Sequence, residues 1–186
     1  MPPFCPASAH FRALDDHVFY WNIYRMPDAT VFSIDVAVAK ARNVAYFSAR
    51  GIGFLVPPGM AVTNRTISFG AQPLFPAGID GTEPGPFFDL FLGDLANPCS
   101  QGDEPANPNQ NGIVFFPGSI PLYKQGAVAP LLVGGLGISG DGVEQDDYVA
   151  WLGSAGFRPP PEIWADRLSI RGVRLPFLKF PRNPER

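Results

Sequence analysis

Four carboxylates crowd seven positions of this chain: Asp141, Glu144, Asp146 and Asp147. Carboxylates at that spacing could hold a cation or share acid–base work. The same acids in the first turn of a helix have a simpler role, because the helix dipole favours negative charge there. The pattern favours that simpler role. Just before them stands Gly135-Leu-Gly-Ile-Ser-Gly140, a literal G-x-G-x-x-G. Dinucleotide binding by such a run needs a βαβ unit and an acid about 20 residues further on. Here a hairpin precedes the glycines, and three acids open the helix where a pyrophosphate would sit. Gly135, Gly137, Gly140 and Gly142 are therefore read as a structural turn that lets backbones approach closely. Ser139 lies in the same turn with no histidine near it in sequence, so nothing marks it as a nucleophile.

The chain has two histidines and two cysteines. His10 and His17 flank the first apolar run, His17 beside an Asp15-Asp16 turn. Cys5 and Cys99 sit in proline-flanked loops. In an oxidising compartment they could form a disulfide that pins the N-terminal arm to the middle of the chain. Two thiols without further ligands cannot make a zinc site. Asn64-Arg65-Thr66 fits the N-glycosylation sequon. No nucleophile–base pair and no metal-ligand constellation is present, so no catalytic or metal residue is assigned and an enzyme is not expected.

The elements that must position these residues are clearest from Asn111 to Leu152. Gly112–Phe116 reads as a short strand, Pro117-Gly118 as a turn and Ile120–Tyr123 as a second extended segment. Lys124-Gln125-Gly126 is a hairpin loop. Ala127–Leu136 is another strand, whose Pro130 argues for an edge or a bulge. The glycine turn follows, then a helix over Val143–Leu152. Upstream, His10–Leu14 and Val18–Tyr24 read as two strands. Asp28 or Thr30 can cap the next helix. In that helix Ile34, Val38, Ala41 and Ala45 form an apolar stripe, with Lys40, Arg42 and Asn43 off it, and Gly51 is a natural stop.

Residues 51–111 form a long Pro/Gly-rich insertion, and a segment of that length is often functional or an interaction arm. Residues 158–186 form a basic, proline-rich extension to a domain spanning 1–157. Among 186 residues are 22 Pro, 20 Gly and 16 Phe, with 17% charged residues. Turns and extended loops should be abundant, and many phenylalanines should fasten them down. The net charge of −3 does not point to nucleic acid as a partner. From Arg158 onward seven basic residues face three acids, a net of +4 that leaves −7 on the rest. That asymmetry suggests a clasp, within one chain or between subunits. No apolar run is long enough for a membrane span. No signal peptide is visible, and a mature periplasmic or extracellular form would look the same.

The FPGSIPLYKQGAV hairpin, the VGGLGISGDGVEQDD turn with its helix, and Ile23–Phe47 (IYRMPDATVFSIDVAVAKARNVAYF) resemble the GlcG/HbpS family of haem-binding-type domains. The blocks cover about half of the chain in the right order. The resemblance implies an α+β, profilin-like fold: an antiparallel sheet of about five strands with flanking helices. Family members usually begin with a helix ahead of the first strand, which here is expected to come from elsewhere or from upstream of Met1. The resemblance also implies haem or a related tetrapyrrole as ligand. Haem iron takes an axial His, Cys, Met or Tyr, which makes His10 and His17 the candidate cofactor-binding residues, with Tyr20, Tyr24, Tyr123 and Met26 chemically eligible. A covalent c-type attachment lacks its C-x-x-C-H. The expected function is a non-catalytic binding module. The alternative is an accessory subunit that uses the domain as a scaffold. In either case a homo-oligomer or a larger complex is expected.

Overall fold

A computed structural model describes residues 22–97, 100, 112–140 and 142–179. His10, His17, Cys5, Cys99 and Asp141 lie outside the described residues, as do most of the two N-terminal strands. Asn22 to Tyr24, the end of the second of those strands, is irregular.

The described part is α+β. Its elements are α1 (Ser33–Arg50), α2 (Asn64–Gly70), α3 (Phe88–Ala96), β1 (Ser119–Lys124), β2 (Leu131–Gly137) and α4 (Val143–Gly153), followed by two 3-10 turns and the short strands β3 (Ser169–Ile170) and β4 (Val173–Arg174). The strands form two two-stranded antiparallel sheets, β1–β2 and β3–β4, among the described residues. An expected sheet of about five strands is not seen there. The 112–116 segment shows one reason. Its carbonyls are taken by side chains rather than by a ladder: Arg42 donates to Gly112 O at 2.6 Å, and Asn43 and Asn64 donate to Val114 O at 2.9 and 2.7 Å. Side-chain bonds of this kind offer backbone an alternative to a strand.

Helix α1 ends at Gly51, whose φ of 78° suits glycine and whose N–H returns to Phe47 O at 2.9 Å. Neither Asp28 nor Thr30 caps it; the N-cap is Phe32, without a side-chain bond. The apolar stripe is only part of its buried surface. Every residue from Ala39 to Ala45 is buried, including Lys40, Arg42 and Asn43. Helix α1 packs on β2 at two glycines. A Cβ on Gly135 would stand 2.1 Å from Ala41 O, and one on Gly137 2.0 Å from Ala37 O. Only the absence of side chains permits that approach.

The β1–β2 register shifts between Leu122 and Tyr123: Leu122 pairs with Gly134 and Tyr123 with Leu132, leaving Val133 as the extra residue of a bulge. Pro130 falls just outside β2. Within 51–111, α2 is built into the core. Thr63 and Thr66 form its capping box, Ile67 is fully buried, and the Phe87 ring occupies the space a Cβ would need on Gly70. The chain beyond Arg158 shares the same interior. Ala61 bridges to Trp164, Thr66 donates to Pro176 O at 2.7 Å, and Leu175 and Phe177 are buried. Each such large apolar side chain contributes on the order of 1.5–3 kcal/mol.

Candidate functional site

The densest chemistry lies where the first turn of α4 meets four other segments. Gly142, in extended conformation, is the N-cap, and Glu144 and Asp146 stand in the first turn. Unlike a solvated helix start, Asp146 and Asp147 are both buried. Lys40 of α1 reaches Asp146 at 2.9 Å and also donates to Ile138 O at 2.7 Å. Arg65 of α2 pairs with Asp147 through Nε and with Glu144 at 3.4 Å. Asp147 further accepts from Gly118 N at 2.8 Å and from Lys179 N at 3.4 Å. The Lys179 ammonium pairs with Glu144. Lys179, in the basic C-terminal segment, thus meets the acidic turn.

Gly118 lets these groups meet. Its φ is 115°, and an added Cβ would come within 2.4 Å of Asp146 Cβ and 2.8 Å of Lys40 Nζ. Gly140 is nearby, its would-be Cβ 3.1 Å from Asp146 Oδ1. Burial dominates the electrostatics. It lowers the Lys40 pKa, against the opposing pull of Asp146 and Asp147. It raises that of Asp147, with Arg65 and the two backbone N–H groups pulling the other way. For Glu144 burial pushes upward, but the combined pull of Lys179 and Arg65 outweighs it and its pKa falls. A second set joins α1 to α3. Arg42 is pushed down to about 10 by burial despite Asp94, and Asp94 is raised by burial while accepting from Ile113 N at 2.7 Å.

In this arrangement Lys40 and Asp146, and Arg65 and Asp147, answer each other's charges. Among the described residues neither a βαβ unit nor a free helix N-terminus is available to a dinucleotide at Gly135–Gly140. The sequon is closed as well: Asn64 is fully buried and its Nδ2 is bonded to Val114 O. Among the described residues, no group of three or more His, Cys, Asp or Glu is placed to hold a metal ion.

The sequence model of a family described as haem degrading protein HbpS-like matches residues 14–155. The chain belongs to the HbpS-like family. No curated protein and no solved structure matches it. The match stops at residue 155, yet Lys179 and the buried Phe177 and Leu178 complete the site and the core of this HbpS-like domain.

The described residues place no imidazole or thiolate for a haem iron. They contain neither histidine nor cysteine. Tyr123 is buried, and burial, partly offset by Ser48, pushes its phenol up to about 12, far from a tyrosinate. Tyr24 and Met26 are exposed on an irregular segment. The two histidines singled out in the sequence lie outside the described residues. Sequence reasoning missed Lys40, Arg65 and Asn64 as members of buried networks. One signal was available for Lys40: a lone lysine in an alanine-rich helix of a chain with few charges.

No described helix is long and apolar enough to cross a membrane.

Proposed function

We propose that this HbpS-like domain is a non-catalytic module that binds haem or a related tetrapyrrole. The family match over residues 14–155 carries the reading. The mutual pairing of Lys40 with Asp146 and of Arg65 with Asp147 supports the non-catalytic part, because it leaves none of these groups poised for proton transfer. Iron ligation falls to His10 or His17, the only imidazoles in the chain. Native mass spectrometry with an absorption spectrum of the same sample tests this reading. A tetrapyrrole-sized increment with a Soret band is expected. A sample that stays apo after incubation with haemin contradicts it.

A second reading, an accessory subunit built on the same scaffold, is favoured by one observation. Phe32, Phe54, Leu95, Phe116 and Val128 all stand exposed, and apolar surface of this kind, where it is contiguous, commonly marks contact with other chains. A multi-subunit mass without ligand supports this second reading. A monomeric mass contradicts it.

A further inference from the structure

A groove of about 380 Å³ opens on the C-terminal segment, lined by Pro161, Trp164, Asp166, Arg167, Ser169 and Arg174. Its volume lies at the small end of the roughly 300–1,000 Å³ typical of small-molecule sites. Its wall is rigid. The Trp164 indole stacks on Phe177 with centroids 4.7 Å apart, meets Trp151 edge-on at 5.9 Å, and has its N–H bonded to Pro159 O at 2.9 Å. With that donor spent, Trp164 offers the groove apolar ring surface.

The two guanidiniums are also held. Arg167 Nε donates to Pro161 O at 2.9 Å. Arg174 Nε donates to Asp166 O at 2.7 Å, and one of its terminal nitrogens pairs with the Asp166 carboxylate. Each fork is fixed through its Nε side, and terminal N–H groups remain for a ligand. Pre-fixed forks recognise planar oxyanions best, because little side-chain freedom is lost on binding. The Asp166–Arg174 pair shows that the Arg174 fork accepts a carboxylate geometry.

We propose that this groove binds a small, flat, carboxylate-bearing molecule, the ring lying against Trp164 and the carboxylate held by Arg167 and the free edge of Arg174. The groove has no His, Cys, Met or Tyr to ligate iron, so the proposal stands apart from the haem reading.

The test is a titration of the full chain with benzoate, followed by the tryptophan and arginine N–H signals in ¹H–¹⁵N spectra. Trp164→Phe identifies the indole signal. Saturable shifts of the Trp164 and Arg174 signals are expected. Arg167→Gln should weaken binding about tenfold or more, the loss of one charge-assisted contact. Asp166→Asn, which frees Arg174 from its internal carboxylate, should tighten it. An unchanged unfolding midpoint of each variant confirms that the fold is intact. Three results would overturn the proposal: no saturable shift, binding insensitive to Arg167→Gln, or inorganic phosphate and acetate acting as well as benzoate. Competition by haemin would overturn the separation of the two sites.

Discussion

Replacing Lys40 with methionine tests the buried charge cluster most sharply. Methionine keeps most of the length of the side chain and removes the ammonium. Lys40 and Asp146 have side chains 2% and 6% exposed, so the carboxylate left behind has almost no access to water. Ile138 O loses its ammonium donor as well. Removing one partner of a buried pair costs about 3–5 kcal/mol, a large share of the roughly 5–15 kcal/mol that holds a domain together. In urea, with a slope of about 1–3 kcal/mol per molar, the midpoint should fall by more than about 1 M. Adding Asp146→Asn removes the stranded charge and should recover on the order of 2 kcal/mol. A loss below about 1 kcal/mol, or a double variant no more stable than Lys40→Met, would show the pair to be solvated and the reasoning wrong.

Tyr123, raised to about 12 by burial, gives a pH effect. The unfolded phenol ionises near 10, before the folded one, so its contribution is complete below pH 10 and is lost as pH rises toward 12. Between those values the wild type should lose on the order of 2–3 kcal/mol relative to Tyr123→Phe, measured by denaturant titration at each pH. Gly137→Ala places a methyl 2.0 Å from Ala37 O. Moving α1 off β2 should cost about 1–3 kcal/mol and lower the thermal midpoint; an unchanged midpoint would show that the contact is loose. Expressed in a glycosylating host, the folded chain should carry no glycan at Asn64. Full occupancy of that site in native protein would contradict its burial.

The hairpin, the glycine turn and both long helices were legible because each follows from local chemistry. Lys124-Gln125-Gly126 sets a loop, Gly51 stops a helix, and acids cluster where α4 begins. Burial around α1 was not legible. Periodicity places Lys40, Arg42 and Asn43 off the apolar stripe, and only the chain folding over them explains their burial. Lys40 meets Asp146 across 106 positions. The strand expected at 112–116 fails for the same reason: its apolar run is local, whereas the side chains that claim its carbonyls come from α1 and α2. Asn64-Arg65-Thr66 read as a sugar acceptor because the sequon is a surface rule. In the fold Thr66 closes a capping box with Thr63, and Arg65 reaches Asp147.

The most direct test of the proposed function is a haemin titration of the wild type and of the His10→Ala/His17→Ala variant, read at the Soret band. A saturable, shifted Soret in the wild type that is lost in the double variant is the expected result. Undiminished binding in the double variant contradicts histidine ligation, and no saturable binding in the wild type contradicts the haem module itself.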